Sequence, residues 1–208
     1  MKRAVLAGLL ALGCSEPTPP SRAGTYPFDI GGDVFHWPAG RLPVRFYAEP
    51  AENLRFLVQR AVDAWAGLFL YGEFSGALVV DSAVADVTVR WRNSPPPYVA
   101  PDTSHVYACT GVTSFPGVDP DGRYTGPIAI ELWALSGTPA QVAACMRRTA
   151  IHEFGHALGL LQHSPAPGDI MWGPTGSRPL VADLPTEQDR RTVEVLYHTR
   201  ATILPRPS

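Results

Sequence analysis

His152-Glu153-Phe154-Gly155-His156 lies inside a segment that the local signals mark as one long helix. Thr138 is a good N-cap, Pro139 suits the first helical position, and Gln141 completes a capping box. The helix is expected to run through both histidines to about Leu158. Gly159 can then take a left-handed conformation and end it. Residues four apart on a helix share one face, about one turn from each other. Two imidazoles at that spacing can bind one zinc ion. A catalytic zinc needs three protein ligands and one open position. The fold must therefore bring the chain back to this helix after Gly159.

The residues after the turn leave two candidates for the third ligand. The pattern H-E-x-x-H-x-x-G-x-x-H puts its last histidine at position 162, which is Gln162, and His163 comes one residue late. A neutral amide oxygen is a weaker zinc donor than imidazole. We expect His163 as the third ligand, with the extra residue absorbed after Gly159. Glu187, from a last helix, is the alternative. Glu153 follows the first histidine and is placed to act on a metal-activated water as general base. His36, His105 and His198 lack supporting spacing and read as solvated or packed side chains.

The rest of the chain supplies a sheet and two more helices. Arg41 to Tyr47 alternates apolar and polar residues as a strand does. Leu54, Leu57, Val58, Ala61, Val62, Trp65, Leu68 and Phe69 recur at three-and-four spacing and predict an amphipathic helix. Residues 77–80, 86–91, 106–115 and 127–133 read as strands, with Asp119-Pro120-Asp121-Gly122 as a turn. A last helix is expected from Thr186, with Glu187 and Asp189 in its first turn, through Leu196 and Tyr197. The order is β-α-β-β-β-β-α-α. With 22 prolines and 19 glycines the elements should be short. A net charge of −2 without basic runs excludes a nucleic-acid partner and a charged membrane surface.

Lys2 and Arg3 followed by the apolar run Ala4–Leu12 predict an export signal, too short for a membrane span. It ends in Ala11-Leu12-Gly13-Cys14, so residues 1–13 read as a lipoprotein-type signal and Cys14 as a lipidated residue. The alternative is an ordinary cleaved signal with an incidental cysteine. Both export the chain, either to a lipid anchor on a bacterial envelope membrane or to the periplasm or medium. Residues 14–40 read as tether and lead-in loop, 41–200 as the domain, and 201–208 as a tail. In an oxidising compartment Cys109 and Cys145 can pair as a disulfide; two buried thiols are the alternative.

On these residues, positions from about 41 to 198 resemble the metzincin zinc metallopeptidases, in the bacterial matrixin-like branch. Asp169-Ile170-Met171 is similar to the family's Met-turn, and Pro185-Thr186-Glu187-Gln188-Asp189 to the start of its last helix. The resemblance implies an α+β fold: a twisted five-stranded mixed sheet, a backing helix, an active-site helix, and a small C-terminal lobe. It implies one catalytic Zn2+, Met171 as an apolar floor, and a zinc endopeptidase activity. It also implies an extended peptide or protein substrate beside the strand at 106–115, with the loop from Trp172 to Leu184 walling a pocket. Asp119 and Asp121 fall where some relatives hold Ca2+, but the turn accounts for them. No inhibitory pro-segment is expected after Cys14, and the protein is expected to be a monomer. The competing function is a zinc-binding or metal-dead lipoprotein that binds extended peptides without cleaving them.

Overall fold

The computed structural model describes residues 21–51, 53–92, 109–135, 137–173 and 183–207. Cys14, His105, the first residues of the strand expected at 106–115, and residues 174–182 of the loop after Trp172 lie outside them. The elements are β1 Val44–Ala48, α1 Leu54–Ala66, β2 Gly76–Val79, β3 Val87–Arg92, β4 Cys109–Ser114, β5 Ile128–Ala134, α2 Pro139–Leu158 and α3 Glu187–Tyr197. Two short 3-10 turns, Ala39–Arg41 and Ser82–Val84, add to the expected order. Among the described residues no helix is long and apolar enough to cross a membrane.

The fold is α+β, with one five-stranded mixed sheet in the order β2-β1-β3-β5-β4. The first four strands of that order run parallel, and β4 pairs antiparallel with β5 at the edge. Alternate residues bury one face: Val44 and Phe46 from β1, Val87 and Val89 from β3, Ile128, Ile130 and Leu132 from β5. Against them lie α1, through Leu54, Val58, Ala61 and Trp65, and the apolar side of α2. Phe154 of α2 stacks on Phe46, ring centroids 4.9 Å apart. Trp65 donates its indole N–H to the Ile151 carbonyl at 2.7 Å. These contacts fix the rotation of α2 and turn the histidine side away from the sheet.

The segment before β1 carries large apolar side chains into the core. Tyr26, Phe28, Phe35 and Trp37 are buried, and Trp37 donates to the Ala157 carbonyl at 2.9 Å. Ile203 and Leu204 form isolated bridges with Phe35 and Arg123, so residues near the end of the chain are tied to the same layer. No helical or strand period announces these burials, because the segment is irregular and each ring fills a gap set by elements distant in sequence.

Asp86, just before β3, pins the sheet to the lead-in turn. Its carboxylate accepts from the Arg45 backbone N, Nε and Nη2, each at 2.9 Å, and pairs with Arg41. Burial alone would raise the Asp86 pKa, but the hydrogen bonds from Arg45 and the two guanidinium charges outweigh it and lower the value. A lowered folded-state pKa contributes stability that is present above the unfolded value, about 3.9, and lost as pH falls through the folded value. Asp86→Asn is therefore expected to cost about 2–3 kcal/mol at neutral pH, discounted because the Arg45 side chain is partly exposed. In chemical denaturation the gap from wild type should shrink below about pH 4. A gap that stays constant down to acid pH would mean that the carboxylate charge is not what holds this corner.

Candidate metal centre

Helix α2 begins and ends as its sequence dictates. Thr138 and Gln141 form a reciprocal capping box with Pro139 in the first turn. At the other end Gly159 has φ 114°, and its N–H reaches the Gly155 and His156 carbonyls. A side chain there would also collide with the backbone, since a Cβ would lie 1.9 Å from the Phe35 carbonyl oxygen. Glycine thus supplies both the left-handed turn and the close approach of the lead-in segment.

Past this turn the chain is pinned at two points. Leu161 N–H donates to the Phe28 carbonyl at 3.0 Å, and Ser164 N–H donates to the Met171 carbonyl at 2.8 Å. Gln162 turns toward the lead-in segment and donates its amide to the Asp29 carbonyl. His163, between the pins, is turned back toward α2. That is how the additional residue is absorbed.

Three imidazoles then converge. Ring centroids are 4.9 Å apart for His152 and His156, 5.1 Å for His152 and His163, and 5.0 Å for His156 and His163. Their ligand atoms lie within 4.8 Å of one another, and the Nε2 atoms of His156 and His163 are 3.3 Å apart. Nδ1–H of His152 donates to the Ile170 carbonyl at 2.7 Å, and that of His156 to the Leu160 carbonyl at 2.6 Å. A carbonyl can only accept, so each Nδ1 carries the proton and each Nε2 presents a lone pair. Burial first, then the neighbouring histidine charges, push His152 well below its usual pKa; burial takes His156 down to about 4 and lowers His163. All three rings are neutral at pH 7, the form that binds metal.

The donor set fits zinc. Tetrahedral coordination at about 2.0–2.1 Å places ligand nitrogens about 3.3–3.4 Å apart, and the separation of the His156 and His163 nitrogens is 3.3 Å. The carbonyl partners on Nδ1 are the outer contacts that usually orient metal-binding histidines.

Met171 is fully buried against α2. A Cβ on Gly155 would lie 2.2 Å from the Met171 Sδ and 2.7 Å from Trp65, so the glycine between the two histidine turns lets the thioether approach the helix. Asp189 of α3 holds that turn. Its carboxylate accepts from Ile170 N at 2.8 Å, Met171 N at 3.3 Å and the Tyr26 hydroxyl at 2.9 Å. Asp169 accepts from the Ser164 and Thr186 hydroxyls, and its backbone carbonyl accepts from Arg148. A continuous set of bonds thus runs from Tyr26 through Asp189 and the Ile170 peptide to His152. Local sequence carries no signal that ties Tyr26 to the site, and for Asp189 it shows the helix-start position but not the buried partners.

Glu153 is buried beside the imidazoles on α2. Thr113 of β4 donates its hydroxyl to Glu153 Oε2 at 2.8 Å and lies 3.0 Å from the Glu153 main-chain oxygen. Burial pushes the carboxyl up to about 7, against the lowering effect of the Thr113 bond. A divalent cation beside it would draw the value down again.

The other candidates lie elsewhere. Glu187, the alternative third ligand, is on the exposed face of α3, paired with Arg190 and Arg191, and is not part of the imidazole cluster. That alternative is set aside: the cap at Thr186 directs its side chain along the helix surface, where guanidiniums meet it. His36 bonds the Thr199 carbonyl and packs on Tyr197, and His198 bonds the Glu194 carbonyl. Asp119 accepts from Asp121 N and Arg123 N and so closes its own turn. Cys109 and Cys145 form a disulfide between β4 and α2.

The sheet, the two packed helices and a three-histidine cluster over a buried methionine define a metzincin-like domain. The matrixin family model, peptidase M10, matches residues 47–198, and the chain belongs to that family. A search of curated proteins found no match. Matrixins are zinc-binding peptidases, and the cluster of His152, His156 and His163 can hold a metal ion. The family implies peptides or proteins as the substrate class.

Proposed function

We propose that the protein is a zinc-dependent endopeptidase with His152, His156 and His163 as metal ligands and Glu153 as general base. The observation that carries this proposal is the convergence of three imidazoles beside a buried carboxylate that shares a helix with two of them. A structural zinc site is closed by four protein ligands. Among the described residues this cluster offers three, which leaves a position for chemistry.

Zinc, when bound, supplies a Lewis acid that makes a water nucleophilic near neutral pH and polarises the scissile carbonyl. Glu153 takes the proton from the attacking water and passes it to the leaving amine nitrogen. Thr113 keeps the Glu153 carboxylate in place. The substrate main chain is held by β4, which pairs with β5 on one side and, among the described residues, ends the sheet on the other. An extended peptide can add to that edge as a further strand.

The test is to measure metal content of the purified protein and cleavage of a denatured protein mixture, before and after chelation. We expect one zinc per chain, internal cleavage, loss with chelator and recovery with zinc. A protein that binds zinc and extended peptides yet cleaves none would replace this proposal with the peptide-binding one.

A further inference from the structure

The edge strand β4 and helix α2 meet through evenly spaced contacts. Cys109 is disulfide-linked to Cys145, Cα atoms 5.8 Å apart, and its sulfur lies 3.1 Å from the Thr149 hydroxyl. A Cβ on Gly111 would lie 2.7 Å from Thr149 Cγ2 and 2.7 Å from Glu153 Cγ. Thr113 donates to Glu153 Oε2 at 2.8 Å. The strand residues are two apart and the helix residues 145, 149 and 153 are four apart. Two strand residues advance about 6.7 Å and four helical residues about 6.0 Å. The two periods nearly match, so one face of β4 indexes one face of α2 over three successive contacts.

We propose that Thr113 is the positioning residue for Glu153, and that the contacts from Cys109 and Gly111 set the register that delivers it. This inference rests on the peptidase reading for its kinetic consequence only. A glutamate side chain has three torsions, and burial alone does not choose among its rotamers. Here Gly111 removes the side chain that would block it, since a Cβ would lie 2.9 Å from Glu153 Oε1. The Thr113 hydroxyl then takes Oε2, and Oε1 carries the proton traffic. The Thr113 hydroxyl bonds to Glu153, and it acts through that carboxylate. A geometric error of about 1 Å at a reacting group is enough to cost about 100-fold in rate.

The experiment compares wild type with Thr113→Val, which keeps the branched shape and loses the hydroxyl, and Thr113→Ser, which keeps the hydroxyl. Metal content, melting temperature, kcat and KM are measured on each, and zinc-loaded crystals report the Glu153 conformation. Thr113→Val is expected to keep zinc and fold, to lower kcat about 10- to 100-fold with KM nearly unchanged, and to release the Glu153 carboxyl from its single orientation. Thr113→Ser is expected to restore kcat to within about threefold of wild type, because the same hydroxyl-to-carboxylate bond is kept. Equal losses in both variants would overturn the proposal, because the missing methyl or the packing would then be the cause. An unchanged kcat in Thr113→Val, or a Glu153 carboxyl that stays put without the hydroxyl, would overturn it as well. Should the wild type itself cleave nothing, the peptidase reading fails alone, and the crystallographic arm still decides whether Thr113 positions Glu153.

Discussion

Glu153→Gln is expected to retain one zinc per chain and to lose kcat/KM by about 10²- to 10⁴-fold, the range that a positioned general base supplies. Glutamine keeps the volume of the side chain and can still accept from the Thr113 hydroxyl, so the loss would be chemical rather than structural. Zinc content should hold because Glu153 is not one of the three clustered donors. The melting temperature of the metal-free protein should not fall, since without a cation beside it the wild-type carboxyl is buried at a cost that its raised pKa records. Glu153→Ala is expected to lose as much activity, with zinc again retained. Metal analysis beside the cleavage rate of an internally quenched peptide checks both. Activity within about threefold of wild type in Glu153→Gln would remove Glu153 from the proton transfer, because an amide has no comparable basicity.

His163→Ala should weaken zinc binding by more than about 100-fold, beyond the 10- to 100-fold that losing an outer contact costs. Gln162→Ala should leave zinc affinity near wild type. It removes only the amide bond to the Asp29 carbonyl, at a cost of about 1 kcal/mol in stability. Thermal melting offers a second readout. A ligand at 100 times its Kd stabilises the native state by about 2.7 kcal/mol, so added zinc should raise the melting temperature of wild type and Gln162→Ala. It should do little for His163→Ala. Full zinc affinity in His163→Ala, or its loss in Gln162→Ala, would reverse the ligand assignment.

These two neighbours mark where local sequence stops being informative. The helix that carries His152 and His156 is legible to the residue: Thr138, Pro139 and Gln141 cap its start, and Gly159 stops it. Short-range hydrogen bonds and backbone sterics write those signals, and they need no distant partner. The strand and helix segments at 54–66, 87–92, 128–134 and 187–197 are legible for the same reason, through periods of 3.6 and 2. Which residue after Gly159 joins the histidine cluster is a different matter. It depends on Phe28 catching Leu161 and on Met171 catching Ser164, contacts that span most of the chain or cross an irregular loop.

The same limit hid the supports of the site. Thr113 reads locally as one polar residue in a strand without clear alternation. Its function follows only from β4 lying at the sheet edge against α2. Asp189 reads as a favourable first-turn acid, and its capping bond to Thr186 is real. Its bonds to Ile170, Met171 and Tyr26 arise because α3 docks where the methionine turn and the lead-in segment meet. Tyr26 and Phe28 sit in a stretch with no periodic signal, yet both are buried.

Legible without any distant contact, then, are a capped helix with His152 and His156 one turn apart and Glu153 between them, and the order of strands and helices around it. Those are consequences of spacing along one continuous backbone. Ligand chemistry favoured His163 over Gln162, but only the packing of separate elements brings its ring to the other two, sets carbonyls against both ring nitrogens on α2, and places Thr113 on the Glu153 carboxylate. Each of these depends on groups brought together from separate elements, where a shift of one residue or one rotamer changes which atom is presented.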